Sequence, residues 1–316
     1  MACVASTLAA ASRAGAHAST SAAARGMRDD FKHNATTTTT TTMFASTRRH
    51  SRARRTPRAR ASWRSDEAPD GLMKRTAEAL VARWRAGGAR EVELEASMAS
   101  LRPNADADAR LCVENVVYED DVFRKMHCEL AWGDGGFEVL HAVMYPWAER
   151  AAPLFAADMV SFGGRVSLCI ADVAPVTEDL SLSSSYTRAL TPTFDAARRG
   201  LRLRELPDWG REILGPLCVC VGPKVGPEGE REVEQFLNYL FSLHDAHVAL
   251  ARAEPISPDS TREKTLAAQT RFCDYQLENI KTRRALERAF GVERADQYMR
   301  DVLFDVTART PCAPAP

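Results

Sequence analysis

Short apolar segments separated by glycine-rich turns run through the middle of the chain, and they restrict its fold more than any other feature. The segments 128–132, 137–145, 153–160 and 166–172 each have the length of a strand, and the glycine-rich stretches GDGG at 133–136 and GG at 163–164 lie between them. Consecutive strands joined by short turns pair as an antiparallel meander. The segment 216–222 has the same character after a polar excursion, so we expect it to rejoin the sheet.

Four titratable residues, His127, Glu129, His141 and Asp158, interrupt these apolar segments. Burying a carboxylate or an imidazole costs several kcal/mol unless the group is paired or neutralised. His127 and Glu129 are two positions apart, so on one strand they point to the same face of the sheet. The pattern has two interpretations: core polar groups that satisfy one another, or the polar part of an active site.

Helical periodicity flanks the strands on both sides. Leu72, Ala77, Leu80, Val81 and Trp84 have the spacing of a helix over 72–86, and helical spacing dominates from residue 228 onward. We therefore expect an α+β fold, specifically a three-layer α/β/α sandwich in which helices flank both faces of a central antiparallel sheet.

The first 65 residues differ in composition from the rest of the chain. They are rich in Ala, Ser, Thr and Arg and contain only two acidic residues, Asp29 and Asp30, which is typical of an organelle transit peptide. We therefore expect residues 1–65 to be a disordered transit peptide and residues 66–316 to be one domain. The alternative is a basic arm that binds nucleic acid, suggested by seven arginines between 48 and 60.

The zero net charge of the whole chain hides an uneven distribution. Residues 1–65 hold twelve of the 42 basic residues and two of the 42 acidic ones, so residues 66–316 have an excess of about ten negative charges. An acidic body argues against general binding to nucleic acid. No segment approaches the length and apolarity of a membrane span, so we expect no membrane association.

Cysteine and glycine patterns disfavour several cofactor classes. The eight cysteines include no CxxC pair, and the glycines form neither a phosphate-binding loop nor a dinucleotide fingerprint. His244 and His247 have the spacing of a helical metal pair, but no third ligand follows at a plausible distance. We expect no metal, no disulfide framework and no tightly bound cofactor, so electrons for a redox reaction would come from a partner.

Seven sequence strings resemble the ferredoxin-dependent bilin reductases. Together with the predicted helix that begins at residue 72, the resemblance spans roughly residues 72–306. The strings are FRKMHCELA at 123–131, VLHAVMYP at 139–146, PLFAADMV at 153–160, IADVAP at 170–175, RELPDWG at 204–210, NIKTRRALERAFG at 279–291 and YMRDVLFDV at 298–306. Several independent strings in one order are more specific than a single short motif. The resemblance implies biliverdin IXα as substrate, reduced ferredoxin as electron donor, the chloroplast stroma as location and a monomer.

The resemblance also implies catalytic roles. Asp158 would be the central proton donor and His141 its hydrogen-bonded partner. Glu129 would give a proton to the D-ring vinyl group, and His127 would tune the network from behind. These roles imply a four-electron reduction of biliverdin IXα to phycocyanobilin through bilin radicals.

Substrate binding and ferredoxin docking are implied at other positions. Arg204 and Lys281 would bind the propionates, and Asn279 would face the bilin. The basic residues available to an acidic ferredoxin are Lys281, Arg283, Arg284 and Arg288. Ile280 departs from the family, which commonly has an acidic residue there, and this departure could change the tautomer of His127.

Two other functions remain open. One is a sister reductase that makes phytochromobilin or phycoerythrobilin, against which Glu129 and Asn279 argue. The other is a bilin-binding or signalling protein without turnover. Such a carrier would need the propionate anchors but not the three proton-transfer residues Glu129, His141 and Asp158.

Overall fold

The fold is described from a computed structural model, which covers residues 67–107, 109–206, 208–256 and 259–305. The expected transit peptide at 1–65 lies outside the described residues. All statements below refer to the described ranges.

Eight strands form one antiparallel sheet. They are β1 Arg90–Val92, β2 Ser100–Leu101, β3 Leu111–Glu119, β4 Phe123–Gly133, β5 Phe137–Pro146, β6 Leu154–Phe162, β7 Arg165–Ala174 and β8 Val219–Val221. The spatial order is β1-β3-β4-β5-β6-β7-β8, and β2 pairs separately with β3. The five strands from β3 to β7 are therefore neighbours in both sequence and space, which confirms the predicted meander, and β8 rejoins the sheet beside β7.

A glycine turn fixes the register between β6 and β7. Gly163 and Gly164 are the only two residues between the strands, with φ values of 56° and 74°. A two-residue hairpin of this kind needs the left-handed conformation at both positions, which glycine adopts without a steric cost. The turn places Phe162 opposite Arg165 and so helps to set the position of β6 in the sheet.

Helices cover both faces of the sheet. They are α1 Leu72–Ala86, α2 Ala96–Ala99, α3 Ser184–Gly200, α4 Asp208–Arg211, α5 Pro227–Ala253, α6 Asp259–Leu277, α7 Ile280–Phe290 and α8 Val292–Tyr298, with a π-helical turn at Met299–Leu303. Apolar residues of α1, α3 and α5 pack on one face. Apolar residues of α6, α7, α8 and the π-helical turn pack on the other.

Each long strand contributes alternate residues to two hydrophobic cores. On β4, Met126, Cys128 and Leu130 face the layer of α1, α3 and α5, whereas Ala131 belongs to the opposite core. Because helices cover both faces of the sheet, the sequences of the strands are nearly continuously apolar. The predicted α+β fold with three layers is thus confirmed. Of the helices within the described ranges, none combines the length and the apolar character needed to cross a membrane.

Candidate active site

Polar side chains lie side by side across four neighbouring strands. Glu129 on β4 is opposite His141 on β5, and His141 is opposite Asp158 on β6. On the other side, Asn115 of β3 is opposite Glu129. Directly opposed residues have Cβ atoms about 4.5–5.5 Å apart. The register therefore assembles one polar row, and His127 joins it from two positions along β4.

This polar row is buried beneath the C-terminal helical layer. Five polar residues of the site are each at most 5% exposed: Asn115, His127, Glu129, His141 and Asp158. The Phe304 ring packs edge-on against His141, with 6.4 Å between the ring centroids. A charge created in such a place is weakly screened, so any charge transfer here needs compensation by a nearby proton.

His141 and Asp158 form a hydrogen-bonded pair. The distance between His141 Nδ1 and Asp158 Oδ1 is 2.8 Å. The pKa of the Asp158 carboxyl lies below its usual value, because the raising effect of burial is outweighed by opposing interactions that include the charge and the hydrogen bond of His141. Burial also lowers the pKa of His141, and Asp158 opposes that change. The pair therefore titrates as one unit that can hold a proton on either partner.

Glu129 has the properties of a buried proton donor. Burial raises its pKa to about 7, although a hydrogen bond from Tyr298 acts to lower it. The Oε1 atom of Glu129 is buried and has no hydrogen-bond partner within the described part of the chain. A carboxyl with a pKa near neutrality is populated in both protonation states, which favours proton transfer in either direction.

Asn115 fixes the tautomer of His127. The Nε2 atom of His127 lies 2.9 Å from Asn115 Oδ1. An amide oxygen can only accept, so His127 donates from Nε2. Burial holds the pKa of His127 well below its usual value, which leaves the ring neutral and Nδ1 unprotonated. Ile280 is 60% exposed at the start of α7, and its effect on His127 remains a prediction.

The other three predicted site residues lie outside this row. Arg204 is exposed on the segment before β8, where its backbone N–H donates to the Cys220 carbonyl over 2.8 Å. Lys281 is exposed on the first turn of α7. Asn279 is half-buried and accepts backbone hydrogen bonds at the start of the same helix. Their roles toward a bilin remain predictions.

Two residues of the site escaped the sequence interpretation. Asn115 carried a usable signal, because it is a polar residue inside an apolar segment just as His141 and Asp158 are. Tyr298 carried none, because a tyrosine in a helix is common in a core. Its hydroxyl contacts Glu129, which is 169 positions away in sequence, and only the tertiary fold brings them together.

A second buried polar group occupies the opposite face of the sheet. There the Trp84 indole donates to His244 Nε2 over 3.1 Å, and His247 Nδ1 lies 3.3 Å from the Tyr186 hydroxyl. A cavity of about 200 Å³ adjoins Trp84 and His244. The two histidines are therefore core residues with aromatic partners. Throughout the described ranges, no set of three or more His, Cys, Asp or Glu side chains could hold a metal ion.

The amino-acid sequence matches one protein family along most of its length. The family described as ferredoxin-dependent bilin reductase matches residues 77–305. Phycocyanobilin:ferredoxin oxidoreductase of Synechococcus elongatus is 38% identical over 202 residues, which covers 62% of this chain and 77% of the relative. The protein of the same name from Gloeobacter violaceus is 36% identical over 239 residues, covering 74% of this chain and 90% of the relative.

A solved structure shares the fold. Phytochromobilin synthase from tomato, crystallised in complex with biliverdin, superimposes with a TM-score of 0.56 over 72% of this chain and 83% of that one. The two sequences are only 16% identical. The likeness supports the three-layer architecture.

Proposed function

The chain belongs to the ferredoxin-dependent bilin reductases, and we propose that it reduces biliverdin IXα to phycocyanobilin with four electrons from reduced ferredoxin. It is a bilin reductase, an enzyme of a family that takes its electrons from ferredoxin. The product assignment rests chiefly on one observation. Glu129, a buried carboxyl whose pKa is raised to about 7, lies directly beside the His141–Asp158 pair.

The chemistry requires these acids because ferredoxin delivers one electron at a time. Each electron added to a buried bilin leaves a negative charge that the low-dielectric site cannot solvate, so a proton must follow. In this proposal, the Asp158–His141 pair delivers protons to the tetrapyrrole core, and Glu129 delivers a proton to the D-ring vinyl group. In each delivery an O–H or N–H bond of the side chain breaks, a bond to hydrogen forms on the bilin, and the donor is then reprotonated.

Binding and electron supply use exposed cations. Arg204 and Lys281 are proposed to bind the propionates, because charge-assisted hydrogen bonds to carboxylates are strong. An acidic ferredoxin needs a positive surface on this otherwise acidic protein. We propose that α7 provides it through three exposed basic residues, Lys281, Arg284 and Arg288. Residues 1–65 are proposed to direct the protein to the plastid stroma, where it would act as a monomer.

An oxygen-free assay tests the proposal. Purified protein is mixed with biliverdin and reduced ferredoxin, the absorbance is followed, and the product is identified by chromatography. Asp158→Asn should bind biliverdin and accumulate a bilin radical without turnover, since an amide cannot deliver the proton. Glu129→Gln should give a product that retains the D-ring vinyl group.

The same assay separates the alternatives. Phytochromobilin or phycoerythrobilin as the product of the unmodified protein would assign it to a sister reaction. Tight biliverdin binding without any reduction would instead indicate a carrier. Parent-rate formation of phycocyanobilin by Glu129→Gln would overturn the role of that residue.

A further inference from the structure

Glu129 contacts a chain of three further polar groups. Its Oε2 atom is in short contact with the Tyr298 hydroxyl. The same hydroxyl lies 2.7 Å from Asn115 Oδ1, and this oxygen also lies 2.9 Å from His127 Nε2. None of the four residues is more than 1% exposed, so these hydrogen bonds are shielded from bulk solvent.

The orientation of the Asn115 amide is fixed by a contact at its other end. Its Nδ2 atom donates to the Met98 carbonyl over 2.9 Å. Turning the amide over would place one carbonyl oxygen against another and leave a buried acceptor unpaired, which is unfavourable. Asn115 therefore presents only an acceptor to Tyr298 and His127.

Two acceptors thus compete for the single proton of the Tyr298 hydroxyl. When the hydroxyl donates to Asn115 Oδ1, its oxygen can accept only from a protonated Glu129 Oε2. When the hydroxyl turns to Glu129, Oε2 becomes an acceptor, and any carboxyl proton must then be on Oε1. That is the oxygen for which the described residues supply no partner.

We propose that the Tyr298 hydroxyl is a two-position switch that turns from Asn115 to Glu129 as Glu129 presents and then gives up its proton. The inference rests on the proposed function of Glu129 and makes Tyr298 and Asn115 positioning residues. In the first position Glu129 is held as an acid. Between the two positions the protonated carboxyl rotates by half a turn about its Cγ–Cδ bond, which carries the O–H group to the side away from Tyr298 and brings the unprotonated oxygen to the hydroxyl. In the second position this O–H bond breaks, a C–H bond forms on the electron-bearing D-ring vinyl group, and the remaining carboxylate keeps the Tyr298 hydrogen bond.

The switch predicts opposite effects of two neighbouring substitutions on the pKa of Glu129. Tyr298→Phe removes the donor to the carboxylate, and because a charge-assisted hydrogen bond is roughly twice as strong as a neutral one, the pKa should rise by about one unit or more. Asn115→Leu removes the competing acceptor, so the hydroxyl donates to Glu129 permanently and the pKa should fall. The titratable groups that face Glu129 are His127 on its own strand, His141 and Asp158 on β5 and β6, and Tyr298 on α8.

Infrared titration of the substrate-free protein tests the switch. The protonated-carboxyl band of Glu129 is identified by its absence in Glu129→Gln and followed against pH in each variant. Tyr186→Phe, which removes a buried hydroxyl on the opposite face of the sheet, is the matched control and should leave this titration unchanged. Because no bilin is present, failure of the proposed function does not affect the result.

A second measurement keeps the test decisive if Asn115→Leu does not fold. A fluorinated tyrosine at position 298 has a more acidic phenol, which donates more strongly and accepts more weakly, so the Glu129 pKa should fall while the shape of the site is retained. The proposal is overturned if Tyr298→Phe leaves the Glu129 titration unchanged, or if it moves the titration in the same direction as Asn115→Leu or the fluorinated residue does.

Discussion

Asp172 is a buried carboxyl on the same sheet face as the site row, and its role is distinct from that of Asp158. Asp172 is on β7, opposite Ala156 of β6, and it is fully buried. Its Oδ2 atom accepts a hydrogen bond from the Gly215 backbone N–H over 2.8 Å. Burial raises its pKa to about 7, partly offset by backbone hydrogen bonds from Gly215 and Val173. The carboxyl thus holds the segment before β8 against the sheet and prefers to be neutral while doing so.

The raised pKa of Asp172 predicts a specific pH dependence of stability. Between its unfolded pKa near 4 and its folded pKa of about 7, the folded state retains a proton that the unfolded state releases, so stability falls as pH rises. Three pKa units correspond to roughly 4 kcal/mol. Asp172→Asn, which keeps an acceptor for Gly215, should therefore gain stability relative to the parent at pH 8 but not at pH 4.

Urea unfolding of both proteins at the two pH values measures this difference. The matched control is Asp121→Asn, at an exposed position just before β4. An equal difference between Asp172→Asn and the parent at both pH values would show that Asp172 does not titrate as its burial implies.

At the scale of single elements, α7 depends on Asn279. Its Oδ1 accepts from the backbone N–H groups of Lys281 and Thr282, at 3.2 and 3.4 Å. An asparagine at this position satisfies donors that have no partner within the helix. The proposed contact of Asn279 with a bilin would therefore be combined with a structural role.

Substitutions at Asn279 separate the two roles. Asn279→Ala should destabilise the protein by about 1 kcal/mol through loss of the helix cap. Asn279→Asp should retain the cap and the stability, because a carboxylate accepts the same hydrogen bonds and interacts favourably with the helix dipole. Urea unfolding checks both values, and biliverdin titration of Asn279→Asp then reports on the bilin contact alone. Equal destabilisation by Ala and Asp would contradict the capping role.

Elements with a strong repeating pattern were predictable from the sequence, and their junctions were less so. The spacing of apolar residues identified α1 over 72–86 and the meander of strands, because each of these patterns reports directly on which face is buried. Helical spacing was recognised from residue 228 onward, and the structure places one boundary between helices where α6 ends at Leu277 and Asn279 caps the next helix. Likewise, the row from Glu129 to Asp158 follows from strand register, whereas Tyr298 enters the site through packing that no local pattern encodes.

At the scale of the whole molecule, a buried ion pair fastens the C-terminal layer to the sheet. Lys125 Nζ lies 2.7 Å from Asp305 Oδ1 and also donates to the Val302 carbonyl, and Arg124 approaches the same carboxylate at 3.5 Å. Burial lowers the pKa of Lys125, and Asp305 counteracts this change. The pair connects β4, which holds His127 and Glu129, to the segment that follows Tyr298.

Removing one partner of this pair should be costly. Asp305→Ala leaves Lys125 buried without its counter-ion, which costs about 3–5 kcal/mol. Arg300→Ala, which breaks an exposed ion pair with Asp296 in the same region, should cost less than about 1 kcal/mol. Urea unfolding compares the two, and similar losses would show that the Lys125–Asp305 contact does not hold the layer in place.

The two hydrophobic cores also predict which part of the chain is sufficient for function. Within the described ranges, both are assembled from residues 72–304, and the family match begins at residue 77, whereas the sequence of residues 1–65 consists mainly of Ala, Ser, Thr and Arg. A protein that begins at residue 66 should therefore unfold at the same urea concentration and bind biliverdin with the same affinity as the full chain, since a segment so poor in large apolar side chains adds little to a core. Fused to a fluorescent protein, residues 1–65 alone should direct it into plastids. Loss of folding or of biliverdin binding in the shortened protein, or a fusion that stays outside plastids, would contradict the transit-peptide assignment.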